Sequence, residues 1–293
     1  LIKNAIHPAP TEILSGLFFC PNFDRLYAVS SPTQRDLCFV LKAIPFRERD
    51  QIVVLLTENK GKIHAIARNS VQSRRFGGCL NLFTASEVEL DSRSIKISEE
   101  TDEKLVGLQS ALIRHSFDTI AKDFDRLSAA SAMNELILRT IPNHKNAPEL
   151  FKLYSNCLVM LNEPIERKII IGVANAFVLK LTQWLGVQPA VTRCLVCEKS
   201  LADAEGDHVI GQVARGGWTC ISCSNSSKEH ALSKDVIFDA YQAILNPVRK
   251  TTFTAIEKEQ LDLLQYLEQH LLFHVHGLER KPISSYQFLK SGI

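Results

Sequence analysis

At 293 residues, with 45% hydrophobic and 23% charged residues, the chain has the composition of an ordinary soluble globular protein and is long enough for one large core or for two or three smaller ones. A net charge of +2 points to no class of partner. The longest mostly apolar run, residues 169–179 between Lys168 and Lys180, is too short to cross a bilayer and reads as a buried helix.

Residues 1–34 hold Pro8, Pro10, Pro21 and Pro32 without a clear period and read as a leader, partly disordered. Residues 37–44 are largely apolar and end at Pro45. Residues 51–57 contain Ile52, Val53, Val54, Leu55 and Leu56, apolar enough for a strand covered on both faces. Glu58-Asn59-Lys60-Gly61 reads as a hairpin turn. Residues 62–68 then alternate, with Ile63, Ala65 and Ala67 on one face and Lys62, His64, Ile66 and Arg68 on the other. Residues 80–90 read as a strand, 91–94 as a turn and 95–98 as a short closing strand. Five short strands in this space fit a small closed barrel of the OB type.

Beyond residue 98 the period reads as helical. Thr101 or Asp102 is placed to cap a helix through Leu105, Leu108, Leu112 and Ile113. Further helices are expected over residues 126–140, from Pro148 to Leu161, from Pro164 to Gly186, over 233–245 and over 256–275. The expected class is therefore α+β multidomain. A leader (1–34) precedes an N-terminal OB-fold β-barrel (35–100), and an all-α helical domain (101–293) carries an inserted four-cysteine zinc knob at 190–230.

The knob rests on spacing. Cys194-Leu195-Val196-Cys197 is answered by Cys220-Ile221-Ser222-Cys223, two paired knuckles of the kind that hold a tetrahedral Zn²⁺. Four soft ligands close the shell, so one structural ion is expected. His208, between the pairs, is an alternative ligand. The other four cysteines, Cys20, Cys38, Cys79 and Cys157, stand singly, which suits a reducing cytoplasm.

The charge is concentrated: residues 35–78 carry nine Lys or Arg against four acids. Lys62 and Arg68 would share a strand face about 20 Å apart at roughly 3.3 Å per residue, a match for the phosphates of an extended strand. Arg47 and Arg49 follow the first strand, and Arg74 and Arg75 follow the third. Loops and one face are where such barrels hold oligonucleotides, and Phe46, His64 and Phe76 are interleaved for stacking. Catalytic signatures are missing: there is no phosphate-loop motif, dinucleotide fingerprint, HExxH, nucleophile elbow, zinc-deaminase pair or KxDG. His270, His274 and His276 read as core or surface histidines.

Several strings together resemble the RecO family of bacterial recombination mediators. They are Glu48-Arg49-Asp50-Gln51-Ile52-Val53, Leu56-Thr57-Glu58-Asn59-Lys60-Gly61-Lys62-Ile63, Ala67-Arg68 and Ser73-Arg74-Arg75-Phe76-Gly77-Gly78. Asn134-Glu135-Leu136, Ala147-Pro148-Glu149-Leu150-Phe151 and Leu185-Gly186-Val187-Gln188-Pro189, the last leading into the first knuckle, complete the set. Residues 1–34 lie outside the likeness. The resemblance implies no enzymatic turnover, a cytoplasmic, nucleoid-associated protein and no membrane. It also implies binding of single- and double-stranded DNA, annealing of complementary strands, and loading of RecA with RecR, and in some pathways RecF, onto strands coated by single-stranded DNA-binding protein (SSB). The helical domain would take the acidic SSB C-terminal tail in an apolar hole beside a Lys or Arg. DNA contacts carry over to Lys42, Arg47, Arg49, Lys62, Arg68, Arg74 and Arg75. The alternative is a zinc-stabilised protein-interaction module with no direct DNA role.

Overall fold

A computed structural model describes residues 33–96, 104–224, 230–278 and 281–291. The expected leader, Cys20 included, lies outside them except for its last two residues. Of these described residues, those within 33–53 and 64–116 form one compact unit, and those within 54–63 and from 117 onward form the other.

Five strands make a closed barrel in the order β1-β2-β3-β5-β4: β1 (Thr33–Phe46), β2 (Asp50–Thr57), β3 (Gly61–Ala67), β4 (Thr84–Lys96) and β5 (Lys104–Ser116). β4 closes it by antiparallel pairing with β1, and β3 runs parallel to β5, an OB-like arrangement. The unbroken apolar run of β2 is explained by burial of both its faces, since Val53, Val54, Leu55 and Leu56 are all at most 4% exposed.

Two expectations fail here. Residues 91–94 do not turn. They lie inside β4, where the register passes from Leu90↔Leu108 directly to Ser94↔Val106. Turn-type residues mark a bulge in one long strand. The helix expected through Leu105, Leu108, Leu112 and Ile113 is β5, so the barrel continues to Ser116, past the expected boundary at residue 100. Here Glu89 faces Ser110 and Leu90 faces Leu108, so Gln109 is extra on β5 and switches the strand's parity. Leu105 and Leu108 are both buried as a result, an apolar spacing of three that imitates a helix. Leu112 and Ile113, further along that supposed stripe, are exposed.

The second unit is built around helices α1 (Asp118–Lys122), α2 (Phe124–Thr140), α3 (Pro148–Asn162), α4 (Arg167–Leu185), α5 (Lys234–Leu245), α6 (Glu257–His274) and α7 (Ser284–Ser291). Local chemistry sets their ends. Asp123 accepts a hydrogen bond from the Arg126 N–H, Pro148 occupies the first turn of α3, and Ser233 accepts from the Val236 N–H. Gly186 stops α4 at φ 78°. α4 packs against α2, α3, α5 and α6. It is long and apolar enough to cross a membrane by composition, yet 67% of that stretch is buried, as befits a core helix.

The β2–β3 hairpin tip belongs to this unit. The Lys62 ammonium donates to the Leu138 carbonyl at the end of α2 (2.8 Å), and the His144 N–H donates to the Lys62 carbonyl (2.8 Å). Gly61 sits at φ +68°, and a Cβ there would fall 1.9 Å from the Lys145 carbonyl oxygen, so both its conformation and its missing side chain are required.

The knob is less irregular than its glycines suggest. β6 (His208–Gln212), β7 (Gly217–Cys220) and β8 (Ala231–Ser233) form a sheet in the order β7-β6-β8. Trp218 is fully buried and packs on Tyr266 of α6, ring centroids 5.2 Å apart.

Candidate nucleic-acid interface and metal centre

Arg47 and Arg49 sit on the loop joining β1 to β2; Arg68, Arg74 and Arg75 sit on the long loop from β3 to β4. Backbone and side-chain bonds hold the two loops together. The Val71 N–H donates to the Arg49 carbonyl (3.2 Å), the Asn69 N–H to Asp50 Oδ1 (2.8 Å) and the Ser70 hydroxyl to Gln51 Oε1 (3.0 Å). Segments twenty residues apart in sequence thus present five exposed arginines from one pair of joined loops. Among the described residues none of the five, nor exposed Lys42 on β1, forms an ion pair with a carboxylate. Guanidinium groups without a carboxylate partner are available to phosphate oxygens, often with two parallel N–H donors each; Arg75 also donates to the Ser73 hydroxyl (3.4 Å) and the Arg68 carbonyl (3.5 Å).

Lys62 departs from its expected place on that surface. It is 7% exposed and its charge is spent on the Leu138 carbonyl, because the hairpin tip packs into the helical unit. Phe76 also departs: it is 3% exposed, anchoring the 74–76 turn while the Arg75 guanidinium lies over its ring at 5.5 Å. Phe46 is half-buried beneath Arg47, whose guanidinium lies 5.1 Å from the ring centroid. Beside the arginines, the β3–β4 loop and Gln51 bound an open cleft of about 490 Å³. Sequence reasoning missed this cleft, since it depends on how the loop folds back.

The second site gathers the four knuckle cysteines. The sulfurs of Cys194, Cys197, Cys220 and Cys223 all lie within 4.8 Å of one another, with Cys220 3.7 Å from Cys194 and 3.9 Å from Cys197. A tetrahedral ion about 2.3 Å from each sulfur would set them about 3.8 Å apart, so the cage fits a metal of that kind. The N–H groups of Val196 and Cys220 point at the Cys194 sulfur at 3.4 and 3.5 Å. Burial opposes ionisation of Cys194, yet backbone donors from Cys197, Val196 and Cys220 outweigh it and bring the thiol down to about 6. Donation from the Cys223 thiol to the Cys220 and Cys197 sulfurs holds it protonated and pushes it up to about 12. Four thiols this close cannot all ionise alone, and a divalent cation bound among them would supply the missing counter-charge. His208 is not part of the cluster; it opens β6, exposed, and pairs with Ser233 of β8.

Of the three histidines, His276 is exposed and the other two are structural. His270 Nε2 meets the Val187 carbonyl at 2.6 Å, just ahead of the knob, and His274 Nε2 meets the Val213 carbonyl at 2.7 Å, between β6 and β7, tying α6 to the knob. Cys38, Cys79 and Cys157 are buried and unbridged. In the helical unit, Leu150, Leu153 and Trp184 line a groove of about 270 Å³ between α3 and α4, with Lys180 at its wall and the Lys145 ammonium 4.4 Å above the Trp184 ring.

Comparison with known proteins agrees with this architecture. The family model described as Recombination protein O N terminal matches residues 33–102, and Recombination protein O C terminal matches residues 121–281. A DNA repair protein RecO from Syntrophus aciditrophicus is 31% identical over 186 residues, covering 63% of this chain and 67% of the relative. One from Anaeromyxobacter sp. (strain K) is 30% identical over 186 residues (63% and 68%), and one from Symbiobacterium thermophilum is 27% identical over 190 residues (64% and 70%). The C-terminal model alone spans more than half of the sequence, and the chain belongs to the RecO family of DNA repair proteins.

Proposed function

We propose that the protein is a non-enzymatic recombination mediator that binds single- and double-stranded DNA through Arg47, Arg49, Arg68, Arg74 and Arg75, with Lys42 on the adjoining strand. The observation that carries this reading is the set of five exposed arginines on two hydrogen-bonded loops, none paired with a carboxylate among the described residues. Such a surface neutralises phosphates with no sequence preference. Bringing two strands to one neutralising surface lowers their repulsion and favours annealing.

In the same reading Cys194, Cys197, Cys220 and Cys223 hold one structural Zn²⁺, whose thiolate shell leaves no open position for chemistry. The groove between α3 and α4 takes the SSB C-terminal tail: Leu150, Leu153 and Trp184 offer apolar surface to its aromatic end, and Lys145 stands beside it for a carboxylate, whereas the Lys180 ammonium in its wall already donates to the Ile244 carbonyl (3.2 Å) and Glu149 also lines it. RecR, and in some pathways RecF, would then join it in loading RecA, in the cytoplasm at the nucleoid. The test is annealing of complementary oligonucleotides precoated with SSB, without nucleotide, across a salt series. Acceleration that fades with salt is expected; folded, metal-loaded protein that gives none refutes the mediator role and leaves an interaction module.

A further inference from the structure

The cleft beside the arginines has a lining that phosphate binding does not call for. Its volume of about 490 Å³ lies within the range of small-molecule sites, about 300–1,000 Å³. Phe76 and Leu80, both nearly buried, contribute apolar surface. Three side-chain amides, of Gln51, Gln72 and Asn81, line it together with Arg74. The Gln51 oxygen accepts from the Ser70 hydroxyl, which leaves its NH₂ as donor. Among the described residues the Gln72 and Asn81 amides make no hydrogen bond within the protein, so each offers a donor and an acceptor. Gly77 leaves one stretch of the wall without a side chain: a Cβ built there would meet only the Arg74 carbonyl, at 3.7 Å. Unpaired amides around an apolar patch match the edge and face of a nucleobase, whereas a phosphate would be served by the arginines alone.

We propose that this cleft receives one unstacked nucleobase of single-stranded DNA while its flanking phosphates rest on Arg74, Arg75 and the arginines of the 47–49 loop. Val71 links the two parts, since it lines the cleft and its N–H is bonded to Arg49. Because an amide is both donor and acceptor, the cleft accepts any base. A paired, stacked base has its edge occupied, so the cleft favours single strands over duplex. The inference rests on DNA binding by the arginine loops and adds a base-dependent part to it.

The test compares the full chain with a Gln72→Ala/Asn81→Ala variant. Both residues are exposed, and neither substitution changes charge. The probes are an oligothymidylate and an abasic strand with the same number of phosphates, read by fluorescence anisotropy. Losing two amide partners should weaken oligothymidylate binding about tenfold, at about 1 kcal/mol of net hydrogen bonding or less each. Abasic-strand binding and the salt dependence should stay unchanged. Equal losses on both strands, or no loss on either, overturn the base site. Failure of both strands to bind the unmodified protein overturns the DNA reading beneath it. Competition by thymidine monophosphate alone, at the same base concentration, would mark a free-nucleotide site and overturn the strand assignment.

Discussion

Replacing Arg74 and Arg75 with Ala should change how steeply DNA binding falls with salt. Six cations, Lys42 and the five loop arginines, are exposed and unpaired among the described residues, so up to six phosphates can be neutralised. Counterion release from a single strand gives log K a slope of about −0.7 per phosphate against log salt, hence about −4 for six contacts and about −3 for four. Between about 50 and 200 mM salt, affinity should drop about 300-fold for the unmodified protein and about 50-fold for the variant. The assay is anisotropy of a labelled oligothymidylate at five salt concentrations. Lys62→Met is the internal control. That ammonium is buried against the Leu138 carbonyl, so its loss should lower the melting temperature and leave the slope alone. An unaltered slope in the double variant, or a shallower one in Lys62→Met, would refute the assignment of the cations.

Removing the metal with a chelator, or replacing Cys194 and Cys220 with Ser, should loosen the knob; bound metal near one equivalent before treatment, and a red shift of the buried Trp218 emission after it, are the readouts. Gly61→Ala should cost at least about 2 kcal/mol in urea unfolding, since positive φ alone costs about 1–2 kcal/mol and the new Cβ strikes the Lys145 carbonyl. An unchanged midpoint would contradict that contact. His270 has its pKa lowered by burial and by neighbouring His274, against the opposing pull of the Val187 carbonyl. The folded state thus prefers the neutral ring. Its contribution is complete above the unfolded value of about 6.5 and declines as pH falls through the lower folded value. Melting temperature should therefore fall below about pH 6.5, and His270→Gln should flatten that part of the profile.

Features governed by neighbouring residues were legible in the sequence. Two-residue spacing brings both thiols of each knuckle toward one centre, so the four-cysteine cage could be named without coordinates. Pro148, Gly186 and Ser233 bound their helices through their own backbone and capping chemistry. The unbroken apolar run of β2 announced burial on both faces. Placement of Arg47, Arg49, Arg74 and Arg75 on loops followed from the strands flanking them.

Other features depended on partners distant in the chain, and only the tertiary structure decided them. Leu105 and Leu108 have a spacing that suits a helix; their pairing against β4, with Gln109 as the extra residue, makes them strand. Lys62 has the sequence neighbourhood of a surface cation, but α2 ends where its ammonium can reach a carbonyl, and the charge turns inward. The joining of the 47–51 and 68–76 loops, and the cleft beside them, come from bonds such as Val71 to Arg49 that no local pattern encodes. A residue's type and nearest neighbours set its local preferences; which face of it meets water is set by whatever the folded chain packs against it.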